Sequence, residues 1–511
     1  MNKTVLYFSP HQDDELLIMG ADIVRSVSTG MDVHVILCTD GSKCRIRDDL
    51  DLSPEQKTKY RDEEFKNSCR ALGVSEDNIH IDEDRMTDKE ADLEDGCNLI
   101  EKHIKKFDGR CVVCTLIPAR AEKQHPDHYI IGCAALSLFA KGRISTMRLF
   151  GEPWISFPCH KLERYEADES QKKMIREAVM AYSGKSELGI GHYSCPGHFE
   201  LLLNDMASYF IENKKDPEGE RKIILSLASF PGRKDHISYS IKTLTGQKIP
   251  ADKIVLYLAK EQYPERDGSF SNDLREMTDS GQVDVRWTED AGPHKKYLCA
   301  FREFEDDLVI TVDDDILHDE SMTVKLLLSW FKHPGAVSAM RTHLIIPDRK
   351  GGFRPYNEWF IQQKILIDRE SDELLSTNGA GTIFEPKKLK KDIFDIGLMK
   401  TTCVMTADDL WIKAALLYSG MPVVQVPGYK GLKLVPGSQD VTLWSWNKSS
   451  NDDTWRRVED WYDGENGEGS FKKAIFGPWS AIGFIRDIRY RKKYSRENTD
   501  RPILDRYFNK D

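Results

Sequence analysis

The chain has no apolar stretch approaching the roughly 18 residues a helix needs to cross a bilayer, although 40% of its 511 residues are hydrophobic. It also lacks a basic excess. Its 73 Lys and Arg face 84 Asp and Glu, giving a formal net charge of -11, whereas a dedicated nucleic-acid binder is expected to be basic. The opening MNKTVLYFSPHQDDE meets acids directly after its short apolar run, so no signal peptide is expected. An even cysteine framework is missing too: 11 cysteines, nine of them before residue 200, fit a reducing cytoplasm better than disulfides. Cys111 and Cys114 are spaced like a metal clip, but on a strand such residues face opposite sides. No internal repeat is present. A chain of this length is too long for one core and predicts two or three domains.

What is there begins with residues 5–20, VLYFSPHQDDELLIMG. Val5, Leu6, Tyr7 and Phe8 predict a strand buried on both faces, which Pro10 stops. Leu16, Leu17, Gly20, Ile23, Val24 and Val27 recur at helical spacing, predicting one helix from about Asp14 or Glu15. His11, Asp13 and Asp14 then stand at the carboxyl end of a strand, where open α/β sheets bind ligands. Imidazole with carboxylate suits zinc; helix capping by the three acids is the alternative at this point.

Strands are predicted over residues 32–39, 79–81 and 111–117, and helices over 61–72, 93–107 and 129–139. This alternation means a doubly wound, mostly parallel sheet. The last strand leads into Gln124-His125-Pro126-Asp127-His128. Two strand ends therefore bring His/Asp clusters to one rim, the donor set of an open, catalytic zinc site. His160, His192 and His198, with Cys159 and Cys195, match no ligand spacing. They are expected in a loop rimming the pocket, where Trp154 and Tyr193 would stack on a sugar.

His11-Gln12-Asp13-Asp14-Glu15 with His125-Pro126-Asp127-His128 resembles the PIG-L or LmbE-like zinc-dependent N-deacetylases that act on N-acetylglucosamine conjugates. The resemblance spans roughly residues 1–210, including Arg61-Asp62-Glu63-Glu64 and Ala181-Tyr182-Ser183; it departs at Gln12, where the family usually has proline. It implies zinc on His11, Asp14 and His128, Asp13 as general base, and His125 stabilising the oxyanion or protonating the amine. It also implies an N-acetylated sugar or glycolipid as substrate.

Residues 211–221, IENKKDPEGER, have linker composition. A second α/β pattern follows, with strands at 222–230, 253–258, 283–287 and 308–312 and a helix at 235–244. The last strand ends in Asp313-Asp314-Asp315, which would repel one another without a cation. This resembles the DxD motif of GT-A glycosyltransferases, as do Ser229-Phe230-Pro231-Gly232-Arg233, Gly292 to Tyr297, Asn378 to Thr382 and Ala407 to Trp411. The resemblance implies a nucleotide-sugar donor, with Asp313 toward the nucleoside, Asp315 on Mn or Mg, and Lys295 or Arg233 near the diphosphate. Asp409, with Asp408 as the alternative, is the implied base.

The expected organisation is thus two Rossmann-like α/β domains: a PIG-L-like unit at 1–211, a linker at 212–221, a GT-A-like unit at 222–470, and a basic aromatic tail at 471–511. Basic residues beside aromatics in that tail suit a membrane surface; the alternative is a helix packing its aromatics on the domain. The functional expectation is a bifunctional cytoplasmic enzyme of surface-glycan assembly, in contact with the cytoplasmic face of a membrane. The alternative is an amidase for another N-acyl sugar joined to a non-catalytic glycan-binding domain.

Overall fold

The computed structural model describes residues 3–47, 50–118, 125–154, 162–183, 189–215, 219–348, 351–402, 407–438 and 443–477. The chain forms two compact units, Met1–Arg221 and Lys222–Asp511.

In the first unit the order is β1 Thr4–Ser9, α1 Asp14–Leu17, α2 Gly20–Ser28, β2 Asp32–Leu37, α3 Pro54–Ala71, β3 Ile79–His80, α4 Leu93–Ile104, β4 Cys111–Leu116, α5 Pro126–Ala140 and β5 Thr146–Gly151. It continues through β6 Glu163–Glu166, α6 Glu169–Ser183, α7 Ile190–Ser194, α8 Pro196–Asn204 and β7 Ala207–Lys214. The sheet order is β3-β2-β1-β4-β5-β7-β6. β1 lies parallel to β2 on one side and to β4 on the other, so the winding reverses between β1 and β4, and a crevice opens beyond their carboxyl ends. Val5, Leu6, Tyr7 and Phe8 are wholly buried, as a strand covered on both faces requires.

Three expectations change here. The single helix after His11 is two, because α1 stops at Leu17 and α2 starts afresh at Gly20. The α3 helix starts seven residues earlier than expected, where Ser53 and Gln56 form a reciprocal capping box ahead of Pro54. Residues 212–214, expected in the linker, are instead strand: β7 pairs antiparallel with β5 from Tyr209 opposite Gly151 to Lys214 opposite Thr146. Polar side chains alternate along its outer face, and that alternation resembles linker composition. Cys111 and Cys114 are buried free thiols, and all nine described cysteines are unpaired.

The second unit runs β8 Ile223–Ala228, α9 Ile237–Thr245, β9 Lys253–Ala259, α10 Asn272–Asp279, β10 Asp284–Thr288, α11 Lys295–Glu303, β11 Leu308–Thr311, α12 Met322–Lys332, β12 Val337–Ala339, β13 Thr342–Leu344, β14 Glu370–Ser371, β15 Leu374–Ser376, β16 Thr382–Phe384, α13 Ile396–Thr402, α14 Asp408–Tyr418, β17 Val423–Gln425, α15 Leu443–Asn466 and α16 Ser470–Phe476. Its main sheet has the order β10-β9-β8-β11-β16-β12-β17-β14. β8 to β11 are mutually parallel, whereas β16 runs antiparallel to both β11 and β12. Both units are therefore α/β with parallel-dominated sheets.

The expected tail starts inside this core. Phe471 is fully buried, with its ring 4.9 Å from Trp455 and 5.2 Å from Tyr462, and Phe476 packs on Phe353. Lys472 pairs with Glu459 at 2.9 Å. The basic residues from Arg486 onward lie outside the described residues. Among the described residues, no helix is long and apolar enough to cross a membrane.

Candidate metal centre and a second acidic site

β1 delivers His11, Asp13 and Asp14 to the crevice, and His128 comes from the first turn of α5. His11 Nδ1 lies 3.1 Å from His128 Nε2. Asp14 Oδ2 lies 2.9 Å from His128 Nε2 and 3.6 Å from His11 Nδ1. For ligands about 2.1 Å from zinc, a tetrahedral edge is about 3.4 Å, so these three atoms are spaced to share one ion. The outer nitrogens are also engaged: His11 Nε2 bonds Asp127 Oδ2 at 2.8 Å and His128 Nδ1 bonds Glu152 Oε1 at 3.2 Å. With protons on the outer nitrogens, the inner lone pairs and the Asp14 carboxylate converge with no donor between them, a fit to a bound cation.

The electrostatics reflect this convergence. In the ion-free protein the two imidazoles instead turn protons toward Asp14: burial pushes the Asp14 carboxyl up, but the His128 charge and hydrogen bonds from His11 and His128 overcome it and hold the group well below its ordinary range. Burial pushes the His11 imidazole down, and bonds to Asp127, Asp14 and Asp88 outweigh it, raising it well above the ordinary value. His125 stands beside this group, its ring centroid 3.9 Å from that of His128. Its ring nitrogen groups with those of His11 and His128 as possible metal donors. His11, Asp88 and Asp127 form a second such group.

Asp13 holds φ at 115°, a region where residues with a Cβ are uncommon and strain is expected. The strain is braced. The Asp13 amide donates to Glu15 Oε2 at 2.9 Å, and Glu15 Oε1 accepts from Ser68 at 2.7 Å and Tyr182 at 2.8 Å. The Asp13 carboxylate receives Arg61 at 2.9 Å, and Arg61 also reaches Glu64 at 3.3 Å and the Gln12 carbonyl. Burial raises the Asp13 carboxyl, with Arg61 opposing; burial, with the Asp13 charge, raises Glu15 to about 7 against its hydrogen bonds from Ser68 and Tyr182. Gln12 fills the place where proline was expected. Its amide donates to the Asp40 carbonyl at 3.1 Å and Asp62 at 3.0 Å, tying the loop to α3.

These groups open on a cavity of about 280 Å³, lined by Asp13, His125, His128, Trp154, Cys195 and His198 among others. The Trp154 ring stacks on His198 at 3.9 Å. Tyr193, expected beside Trp154, is not among the lining residues, and Cys159 and His160 lie outside the described residues. Cys195 and His198, expected at the pocket rim, do line the cavity, whereas Asp88 and Glu152 were missed by sequence reasoning. Glu152 follows the end of β5, and that position in a parallel sheet was the available signal.

In the second unit, Asp313, Asp314 and Asp315 follow β11 as expected, but each carboxylate meets a cation of the chain. Arg233 lies 2.6 Å from Asp314 and 2.8 Å from Asp315. Lys296, not Lys295, reaches this group, at 2.7 Å from Asp313 and 2.9 Å from Asp408. Lys295 turns to Asp290 at 3.0 Å. Adjacent helical residues point about 100° apart, so lysines in tandem cannot share one target. Asp409 accepts from the Asn378 amide at 2.9 Å and its side chain at 3.0 Å; burial, then the Asp408 charge, pushes its carboxyl up to about 7. Gly379 is required here: a Cβ would fall 1.7 Å from Asp313 Oδ2. Among the described residues, groups of three metal-capable side chains occur in the first unit alone.

A strained acidic loop beside converging imidazoles, at the switch point of a parallel sheet, makes the first unit an α/β fold with a candidate metal site. Residues 6–139 match the family model of PIG-L, GlcNAc-PI de-N-acetylase, which identifies a PIG-L deacetylase domain in that region. No match to a curated protein was found. Solved structures similar to this chain include N,N'-diacetylchitobiose deacetylase from Pyrococcus horikoshii with its inhibitor MPG, 20% identical over 42% of this chain and 84% of that one, TM-score 0.31. A triple mutant of a deacetylase from the teicoplanin biosynthetic pathway is 19% identical over 42% of this chain and 99% of that one, TM-score 0.32. A 4-carboxy-2-hydroxymuconate hydratase from Pseudomonas putida is 14% identical over 42% and 97%, TM-score 0.31.

Proposed function

We propose that the first unit is a zinc-dependent N-deacetylase of an N-acetylglucosamine-type sugar. The observation that carries this is the mutual spacing of His11 Nδ1, Asp14 Oδ2 and His128 Nε2, 2.9 to 3.6 Å. Those three side chains would hold the ion. Zinc there supplies Lewis acidity, which makes water nucleophilic near neutral pH and polarises an amide carbonyl. Asp13 takes the proton of the attacking water, and Arg61 favours its charged form and aims it. His125 braces the carbonyl oxygen as it gains charge and passes a proton to the nitrogen. The C–N bond breaks, leaving acetate and a free amine. Trp154 offers the sugar an apolar face on the cavity wall.

The test is zinc content and acetate release for the full chain, His11→Ala and His128→Ala, on a panel of N-acyl sugars. The reading expects about one zinc in the native chain, little in either variant, and acetate from the native chain alone. Unchanged zinc in the variants would remove it. Release of another acyl group in place of acetate would make the enzyme an amidase of a different sugar.

For the second unit we propose glycosyl transfer from a nucleotide sugar, supported by Asp409, a buried carboxyl poised near 7 beside Asp313 and Lys296. Asp409 would deprotonate the acceptor hydroxyl, and Lys296 with Arg233 would meet the diphosphate. Asp315 would hold Mn or Mg as one carboxylate among phosphate oxygens and water. Calorimetry with Mn and a panel of nucleotide sugars tests this; no binding to any of them refutes it. Joined in one chain, the two activities serve consecutive steps on one surface glycan or glycolipid. The residues beyond 477 hold the protein to an anionic membrane surface, a point that sedimentation with anionic and neutral vesicles checks.

A further inference from the structure

Glu152 stands at the carboxyl end of β5, its side chain only 7% exposed. Each of its oxygens has a different partner. Oε1 lies 3.2 Å from His128 Nδ1, and Oε2 accepts the Trp154 indole N–H at 2.8 Å. A carboxylate accepts and does not donate when ionised, so Nδ1 of His128 carries a proton toward Glu152, which leaves Nε2 as the nitrogen that can give its lone pair to a cation. That is the nitrogen 2.9 Å from Asp14 and 3.1 Å from His11. The Trp154 ring lines the cavity and is itself held by its stack on His198.

We infer that Glu152 is a positioning residue for the metal centre: it sets the tautomer and angle of His128, and the cavity-wall indole of Trp154 holds Glu152 in place. The inference rests on the zinc reading of His11, Asp14 and His128, and adds a residue outside both of the histidine-bearing segments. Carboxylates behind ligand imidazoles strengthen metal affinity by about 10- to 100-fold. Three variants separate the contributions. Glu152→Ala removes charge and acceptor, Glu152→Gln keeps an acceptor of the same shape, and Trp154→Phe keeps an aromatic ring but loses the N–H.

The experiment is competition for zinc between the full chain and a chromophoric chelator, with circular dichroism confirming the fold of each variant. Glu152→Ala should bind zinc about 10- to 100-fold more weakly, Glu152→Gln should fall between it and the native chain, and Trp154→Phe should show a smaller loss in the same direction. A residue with only a structural role would lower the melting temperature and leave zinc affinity where it was. Folded Glu152→Gln and Glu152→Ala that bind zinc as tightly as the native chain overturn this inference and leave the zinc reading intact. A native chain that takes up no zinc overturns both.

Discussion

Replacing Arg61 by Met should expose how much of the first unit is held by one buried guanidinium. Arg61 is 2% exposed, and it bonds Asp13 at 2.9 Å and Glu64 at 3.3 Å. Methionine fills similar volume, so the loss is electrostatic: two buried carboxylates are left without their cation. Breaking a buried pair by removing one partner costs about 3–5 kcal/mol, and Glu64 keeps the Gly191 amide as a donor at 2.9 Å. About 3 kcal/mol is therefore the expected loss near pH 7. The pH dependence has a definite sign. Burial already pushes the Asp13 carboxyl up against Arg61, and without Arg61 it rises further above its unfolded value. A raised carboxyl contributes stability at low pH and loses it as pH climbs through the folded pKa. The deficit should thus be smallest on the acid side and grow as pH rises. Urea denaturation of native and variant protein at several pH values measures it. A deficit under about 1 kcal/mol that is flat across those pH values would refute the reasoning. The acid limb of the acetate-release profile should move upward in step, since the same carboxyl is the proposed base.

Lys413 is wholly buried, and burial pushes its amine down to about 8. Its folded pKa lies below its unfolded value, so the penalty is full below about pH 8 and disappears as pH rises past about 10.5. Lys413→Met should therefore stabilise the second unit by about 2–3 kcal/mol near pH 7, and a denaturation midpoint that falls or stays put would contradict this. Phe471→Ala should cost about 3–5 kcal/mol, read as a lower melting temperature of the second unit. A neutral result would mean that α16 is not part of its core.

The alternation of short apolar runs with helical spacing made both α/β sheets legible, because parallel strands covered on both faces read as unbroken Val, Ile and Leu. The two histidine-bearing segments were legible for a related reason: His11 follows the first such run within two residues, and His125 opens the helix that comes after β4. What stayed hidden depends on contacts between distant residues. Glu15 reads as one more acid of a capping cluster, yet it is the brace linking Asp13 to Ser68 and Tyr182. Lys295 and Lys296 are indistinguishable in a string, and only the start of α11 decides which one faces Asp313. The β7 strand was lost because its outer face, with Glu212 and Lys214 exposed, carries the charge of a linker. Phe471 likewise follows a polar stretch, and its burial depends on Trp455 and Tyr462.

The left-handed backbone at Asp13 bears on how this protein can be improved or damaged. Glycine adopts φ of 115° without a Cβ penalty, so Asp13→Gly would relax the loop, but it would also delete the proposed proton acceptor and leave the Arg61 guanidinium without one of its two carboxylates. Asp13→Asn keeps the shape of the side chain and the strained backbone while removing the charge, so the two substitutions together separate the cost of the left-handed turn from the contribution of the Asp13–Arg61 pair. A glycine variant more stable than the asparagine one would show that the left-handed turn, and not the buried pair, dominates the energetics of this loop.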